Sequence, residues 1–347
     1  MRVYLVNVDY GVLPKRAWQL ITQQGVQVAG NWSDSPYRQV LVEFAPDVIV
    51  YAPHRQKAAL SWRDAALNLP LELVKKVPTI LWALYPDYLT GWDHGRNEHA
   101  KGHLEPVQHM LPYFRAILAN SRFTKELFKA RAPGFTPAVC YPAIDTVGIE
   151  HRVGLRQRGP RARTVLWQHR WATDKNLPGA LEIVLELAPK HPDVTFYLGR
   201  KENWDEAFWS PQWLKDLYAA RSPELEPLAN VRYSRHFPTQ EEYWDFISGV
   251  DIAFSCSYHE TFGIAMLEQA YAGAACVVPN AVAYPEVHAG TLVVEPSRVA
   301  EGISSLLQDA ARWTQVAASS RANAARYTVE QTVQTLLTFV KQVERAN

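Results

Sequence analysis

Two successive series of short, apolar, β-rich runs constrain the fold of this chain more than any other feature. The first series covers residues 2–8, 47–52, 78–84 and 115–119. The second covers residues 164–167, 194–198, 231–233, 251–254 and 275–278. Segments of helical character separate the runs, and strands that alternate with helices form parallel sheets covered by helices. The sequence therefore predicts an α/β protein with two doubly wound parallel sheets.

Composition excludes several other classes of protein. A chain of 347 residues with 48% hydrophobic and 20% charged residues can bury the cores of two domains. No apolar run approaches the length that spans a bilayer. The apolar run after Arg2 suits a first buried strand better than a signal peptide. Cys140, Cys256 and Cys276 are too few and too scattered for a disulfide framework or a zinc site, so we expect reduced thiols and a cytoplasmic protein.

The net charge of +1 conceals an asymmetry between the two halves of the chain. Residues 1–165 carry 21 Lys and Arg against 13 Asp and Glu, whereas residues 166–347 carry 15 against 22. Part of the positive excess is a run of arginines at positions 152, 156, 158, 161 and 163. Such a run is typical of a solvated, flexible linker. It is also typical of a surface that attracts polyanions such as nucleic acid, and both interpretations stay open.

The segment 259–273 carries the strongest chemical signal. Glu260 and Glu268 stand eight positions apart around a Phe262-Gly263 step. The apolar run 250–255 before them reads as a buried strand and the residues after them as a helix, which places Glu260 in the turn and Glu268 on the helix. Eight helical residues rise about 12 Å. The two carboxylates are therefore suited to opposite ends of an elongated ligand, such as a nucleotide sugar, whose phosphates rest on the helix N-terminus.

Two further segments complete a recognisable pattern. Arg170 and Lys175 follow the first strand of the second series, and residues 284–287 read Tyr-Pro-Glu-Val. Together with segment 259–273 they resemble the retaining family 4 glycosyltransferases, and within that family the tRNA-queuosine mannosyltransferases. The resemblance covers roughly residues 160 to 300. It implies the GT-B fold, in which two Rossmann-like domains face each other across a cleft, and a reaction that needs no metal and no cofactor besides the nucleotide sugar.

The resemblance also implies roles for individual residues. Arg170 and Lys175 would neutralise the leaving phosphate, because a guanidinium fork and an ammonium both stabilise developing negative charge. Glu260 would contact the sugar and Glu268 the ribose. The remaining donor-side residues would be Thr261, Phe262 and Gly263 at the phosphates, and His236 and Phe237 in a loop that shapes the pocket. Glu286 fits either a structural role or the pocket.

Domain boundaries follow from the same likeness. Residues 141–146 resemble the point at which chains of the family leave their first domain. We therefore expect an acceptor-binding domain over residues 1–150, a basic linker over residues 151–163 and a nucleotide-sugar domain over residues 164–327. The final helix, within residues 328–347, would pack back on the first domain.

The acceptor side departs from the family. Asp87 follows the strand at 79–83, and open α/β sheets bind ligands at the carboxyl ends of their strands, so Asp87 is the expected acceptor-side catalytic residue. Aromatic and polar neighbours would contact the acceptor, partly by stacking; they are Tyr85, Tyr88, Trp92 and His94. The family's usual acceptor-side histidine has only Trp82 and Asp87 as equivalents. The histidines between residues 94 and 109 match no zinc spacing and suit an exposed loop or an acceptor-binding loop.

The sequence thus predicts transfer of a hexose from a UDP- or GDP-linked sugar to a hydroxyl group, with retention of configuration. The favoured acceptors are modified nucleobases, either a hydroxymethylpyrimidine in DNA or queuosine in tRNA. A glycan or lipid-linked acceptor is the alternative. A nucleotide-sugar epimerase, or a binding protein without turnover, would use the same double-Rossmann frame.

Overall fold

The computed structural model describes two compact units of the chain. The residues described are 1–6, 13–31, 43–52, 71–83, 111–131, 134–153, 159, 162–200 and 212–346. Unit 1 comprises Met1–Ile144 and Tyr327–Asn347, and unit 2 comprises Asp145–Arg326. Among the helices within these ranges, none has the length and apolar character needed to cross a bilayer.

Unit 1 is built on a six-stranded parallel sheet with the strand order β2-β1-β3-β4-β5-β6. The strands are β1 (Arg2–Val6), β2 (Gln27–Asn31), β3 (Val48–Tyr51), β4 (Thr79–Ala83), β5 (Ala116–Ala119) and β6 (Ala138–Val139). The helices are Lys15–Gln23, Leu71–Val74, Arg122–Arg131 and Val329–Arg345, with a 3₁₀ turn at Leu111–Tyr113. Every residue of the central strands β3 and β4 is buried, because helices cover both faces of a parallel sheet.

Unit 2 holds a second six-stranded parallel sheet with the order β12-β11-β10-β7-β8-β9. Its strands are β7 (Thr164–Trp167), β8 (Thr195–Leu198), β9 (Val231–Tyr233), β10 (Ile252–Phe254), β11 (Ala275–Pro279) and β12 (Leu292–Val294). Its helices are Thr146–Val153, Leu177–Leu187, Gln212–Leu225, Gln240–Ile247, Ile264–Tyr271, Tyr284–Val287, Val299–Gln308 and Ala310–Ala324, with 3₁₀ turns at Thr173–Lys175 and Pro296–Arg298. The two sheets confirm the predicted fold class, and each of the nine predicted runs contains a strand.

The order of strands in unit 2 positions the site. From β7 the chain moves outward to β8 and β9, and from β10 it moves outward in the opposite direction to β11 and β12. Strands β7 and β10 are parallel neighbours, with Val165 opposite Ile252 and Leu166 opposite Ala253. The crevice beyond the carboxyl ends of two such strands is where doubly wound sheets bind ligands.

The chain passes from unit 1 to unit 2 between Ile144 and Asp145, six residues before the expected boundary. The Thr146–Val153 helix therefore belongs to unit 2. Of the expected linker, residues 154–158, 160 and 161 lie outside the described residues. The Val329–Arg345 helix belongs to unit 1, where it contacts β3 and the Lys15–Gln23 helix.

Candidate functional site

Asn176 joins the loops that follow β7 and β10. It adopts a left-handed conformation, with φ of 55°, which asparagine tolerates better than most residues. Its Oδ1 accepts a hydrogen bond from the Gly179 amide at 3.0 Å and so caps the Leu177–Leu187 helix. Its Nδ2 donates to the Cys256 carbonyl at 3.0 Å. The two loops are therefore fixed relative to each other before any ligand arrives.

A cluster of four charged side chains lies where these loops meet. Asp174 is completely buried, and its Oδ2 lies 2.6 Å from Nη2 of Arg170 and 3.5 Å from Nζ of Lys175. Lys175 Nζ also lies 2.9 Å from Oε2 of Glu260 and donates to the His259 carbonyl at 3.0 Å. The structure thus brings together three residues predicted from sequence, Arg170, Lys175 and Glu260. Asp174, which sequence reasoning did not single out, orients both cations.

Glu260 is ionised in this cluster. Burial alone would raise the pKa of its carboxyl, but the charge and hydrogen bond of Lys175 lower it to about 2. Its Oε1 accepts from the amides of Thr261 at 3.0 Å and Phe262 at 3.4 Å. In this structure the neighbouring carboxylate accepts from the Phe262 amide, and the role of that amide at a phosphate stays a prediction.

Within the described residues, no side chain caps the N-terminus of the Ile264–Tyr271 helix. Its N-cap, Gly263, has φ of +84° and supplies no side chain, whereas side chains cap the helices that follow Thr239 and Asp309. First-turn amides have no partner inside a helix and attract anions. Because the helix begins only at Ile264, about 6 Å of helical rise separates that residue from Glu268. The 12 Å spacing of the two carboxylates therefore stays a prediction, because only the part from Ile264 onward is helical.

The Tyr284–Val287 segment packs beneath this turn. The Tyr284 hydroxyl donates to Oγ of Ser255 at 2.6 Å. Nε2 of His288 lies 3.2 Å from the Phe262 carbonyl. Burial lowers the pKa of His288 to about 4, so the ring is neutral at pH 7 and donates through Nε2. These contacts hold the turn from below; Glu286 lies in the first turn of its own helix.

His169 is a second neutral histidine beside the cluster. Burial, and then the positive charge of Lys175, lower its pKa to about 3. Its Nε2 is buried and has no hydrogen-bond partner in the described part of the chain. The backbone of Gly199 packs so closely on this loop that a Cβ there would lie 2.6 Å from the His169 carbonyl oxygen. The loop is therefore held rigidly at the end of β7.

Glu268 lies on the Ile264–Tyr271 helix and is only 7% exposed. Its Oε1 accepts from Nε1 of Trp244 at 3.1 Å and from Nε2 of Gln240 at 3.3 Å. Burial raises the pKa of its carboxyl to about 7, although both hydrogen bonds oppose the rise. Glu260 and Glu268 thus have opposite electrostatic settings, one paired with a cation and the other with neutral donors.

The other predicted residues lie in the loop after β9 or beyond the described ranges. His236 and Phe237 follow β9, which is at the edge of the sheet and two strands from β7. His236 Nδ1 lies 3.3 Å from a guanidinium nitrogen of Arg200, and the Phe237 ring packs 5.1 Å from that of Phe246. The acceptor-side residues Asp87, Tyr85, Tyr88, Trp92 and His94 fall outside the described residues. The residues that are described contain no group of three or more His, Cys, Asp or Glu side chains placed to hold a metal.

Comparison by sequence finds relatives that match part of the chain, and no protein-family model matches it. The tRNA-queuosine alpha-mannosyltransferase of Drosophila melanogaster is 27% identical over 124 residues. This match covers 36% of the present chain and 30% of the fly protein. The chain therefore aligns with less than a third of that relative.

Comparison of structures gives full-length matches at low identity. Sucrose-phosphate synthase from Thermosynechococcus elongatus superposes with a TM-score of 0.73, 11% identity and complete coverage of both chains. Anabaena HepE, solved in complex with UDP and glucose, gives 0.63 and 15% identity, covering 99% of this chain and 100% of HepE. Trehalose-6-phosphate synthase from Burkholderia multivorans superposes with a TM-score of 0.66 and 12% identity, and the match covers 89% of this chain and 73% of the synthase. The chain has the GT-B fold of these glycosyltransferases, with two Rossmann-like units.

Proposed function

We propose that this protein is a glycosyltransferase that moves a hexose from a nucleotide diphosphate sugar to a hydroxyl acceptor. The observation that carries the proposal is the placement of Arg170 and Lys175 beside an uncapped helix N-terminus, at the carboxyl ends of β7 and β10. Two fixed cations and the first-turn amides of a helix that has no side-chain cap suit a diphosphate. The GT-B fold, which the chain shares with a protein solved with UDP and glucose, supports the same choice of donor.

Catalysis by this arrangement would be electrostatic. When the bond from the sugar C1 to the phosphate oxygen breaks, its electron pair stays on the departing diphosphate. Arg170 and Lys175 offset that charge, and Asp174 holds both cations in place without needing to move. With two protein cations available, the proposed reaction needs no metal. Retention of configuration is part of the proposal and rests on the resemblance to family 4.

The two glutamates would hold the two ends of the donor. Glu260 keeps its charge at neutral pH, so it is suited to accept hydrogen bonds from sugar hydroxyls. It pairs with Lys175, and a bound diphosphate would share that ammonium. Glu268 would accept hydrogen bonds from the ribose. Gly263 lets the turn pack closely on His288, since a Cβ there would lie 2.8 Å from Nε2 of that ring.

For the acceptor, we propose a modified nucleobase, either queuosine in tRNA or a hydroxymethylpyrimidine in DNA. The match to a tRNA-queuosine alpha-mannosyltransferase supports it, as does the excess of eight positive charges in residues 1–165. Asp87 remains the proposed acceptor-side residue. The three cysteines are free and buried, which fits a reducing compartment such as the cytoplasm. A saccharide or lipid-linked acceptor is the second candidate, favoured by the sugar-phosphate synthases among the structural neighbours.

Nucleoside mass spectrometry tests the proposal. The protein is incubated with UDP- and GDP-linked hexoses and with hydroxymethylcytosine DNA, hydroxymethyluracil DNA or queuosine-containing tRNA. A hexose mass added to one nucleoside supports donor and acceptor together. Release of nucleoside diphosphate without modification of any nucleic acid rejects the nucleobase acceptor and favours the saccharide or lipid. Interconversion of the sugar without acceptor or release would show an epimerase instead.

A further inference from the structure

The carboxylate of Glu268 is held by one oxygen only. Trp244 Nε1 and Gln240 Nε2 both donate to Oε1, at 3.1 and 3.3 Å. Within the described part of the chain, no protein donor bonds Oε2. A carboxylate oxygen has two lone pairs. The two protein donors therefore occupy the acceptor capacity of Oε1 and leave that of Oε2 for a ligand.

The two donors occupy fixed positions. Gln240 and Trp244 stand four residues apart on the Gln240–Ile247 helix and so point to the same side of it. Thr239 caps this helix through its side chain, which accepts from the Glu242 amide at 3.2 Å. The Trp244 ring packs on the Thr146–Val153 helix at Gly148, where a Cβ would lie 2.3 Å from the ring. Neither donor needs to reorganise when a ligand binds.

The surroundings preserve the acceptor strength of Glu268. The charged and titratable groups that act on it are Asp145, at the start of unit 2, and Tyr243, on the same helix as its donors. Neither is a cation, so no ion pair within the described residues competes with a ligand for the carboxylate. The free lone pairs of Oε2 suit two adjacent hydroxyl donors. In a nucleotide sugar, the ribose offers such a pair of hydroxyls on a rigid ring next to the base.

We propose that Gln240 and Trp244 are positioning residues that orient Oε2 of Glu268 toward the 2′- and 3′-hydroxyls of the donor ribose, and that this arrangement selects ribonucleotides over 2′-deoxyribonucleotides. The inference rests on the proposed function, because it requires that the site of unit 2 binds a nucleotide. Removing either donor frees the carboxylate to turn, so the loss of binding affinity falls on its contact with the ribose. The diphosphate contacts of Arg170 and Lys175 do not involve these donors.

The test compares ribose with 2′-deoxyribose in matched variants. The dissociation constants of UDP, GDP, 2′-deoxy-UDP and 2′-deoxy-GDP are measured by titration calorimetry for the wild type, Trp244→Phe and Gln240→Met. Trp313→Phe is the control. Trp313 is as buried as Trp244, at 4% exposure, and its Nε1 donates to the Asp251 carbonyl at 3.0 Å, at the opposite end of β10. Circular dichroism checks folding, and the exposed Gln240 provides a variant that does not disturb the core.

The wild type is expected to bind the ribonucleotide about tenfold more tightly than its 2′-deoxy form, and Trp244→Phe and Gln240→Met to reduce that ratio by about three- to tenfold, the range for one lost hydrogen bond. Trp313→Phe should leave the ratio unchanged. A wild-type ratio near one, or an unchanged ratio in both test variants, overturns the inference while the proposed function stands. Failure of every nucleoside diphosphate to bind the wild type overturns both.

Discussion

Replacing Lys175 by methionine removes one of the two cations assigned to the leaving diphosphate. One preorganised charge or donor at a developing anion contributes about 10²–10³ in turnover, or about 2.7–4 kcal/mol. We expect a loss of that size in the rate of donor cleavage. Binding of the nucleoside diphosphate should weaken less, because the charge that Lys175 stabilises grows as the bond breaks.

The same substitution carries a stability cost that the structure bounds. Breaking a buried ion pair costs about 3–5 kcal/mol when it leaves one charge without compensation. Here Glu260 keeps two backbone amides, and Asp174 keeps Arg170 at 2.6 Å. We therefore expect a cost near the lower end, about 3 kcal/mol. Thermal unfolding identifies a temperature at which the variant is folded and can be assayed.

The assay is release of nucleoside diphosphate from the donor sugar in a single turnover, alongside calorimetric titration of the diphosphate alone. Lys190→Met is the matched control, because Lys190 Nζ lies 2.9 Å from Glu186, the same distance as in the Lys175–Glu260 pair, but is 60% exposed. An exposed pair of that kind contributes about 0–1 kcal/mol, so turnover should not change. If Lys175→Met lowered the rate of donor cleavage and the affinity for the nucleoside diphosphate by equal, small factors, the assignment of Lys175 to the leaving diphosphate would be refuted.

Three further perturbations test neighbouring parts of the account. Gly263→Ala should lower both the thermal stability and the nucleotide affinity. A left-handed backbone costs about 1–2 kcal/mol for a residue with a side chain, and the new Cβ would lie 2.8 Å from Nε2 of His288. An unchanged melting temperature would contradict this expectation. Nucleotide affinity should fall as the pH drops through about 7, because the raised pKa of Glu268 means that its carboxylate is charged above that value and protonated below it. In Glu268→Gln the calorimetric affinity should lose this pH dependence, and a dependence that persists would assign it to another group. Gly148→Ala should lower the melting temperature, because the new Cβ would lie 2.3 Å from the Trp244 ring. The overpacking cost, near the top of the range of about 1–3 kcal/mol, exceeds the gain in helix propensity of about 1 kcal/mol. A higher melting temperature would contradict this expectation.

The sequence predicted the central strands of both sheets but missed three strands at the edges. Central strands such as β3 and β10 are continuous apolar runs, because helices bury both of their faces. The missed strands are β2, β6 and β12, which end their sheets in the strand order. β6 has only two residues, and β12 is only partly buried along its length. The polar ends of β2 and the two-residue length of β6 leave these strands without the apolar run on which the prediction depended, whereas β12 is itself an apolar run, Leu-Val-Val, and the pattern alone does not explain why it was missed.

The cluster of Arg170, Lys175 and Glu260 was predictable because each of these residues follows a predicted strand. Arg170 and Lys175 follow one strand and Glu260 the next strand in space, so the parallel topology brings them together. Gln240 and Trp244 could not be found in this way. They reach Glu268 from a separate helix, 28 and 24 residues away in sequence, and only tertiary packing makes them its partners.

Hydrogen exchange measured by mass spectrometry, with and without a saturating UDP- or GDP-linked hexose, locates the donor site on unit 2. The bound donor should slow exchange of backbone amides in residues 169–176 and 259–268, at the carboxyl ends of β7 and β10. Amides in residues 188–194 and 248–251, at the opposite ends of the strands, should exchange at unchanged rates. Protection confined to those opposite ends, or no protection in unit 2 with any donor, would contradict the assignment of this crevice as the nucleotide-sugar site.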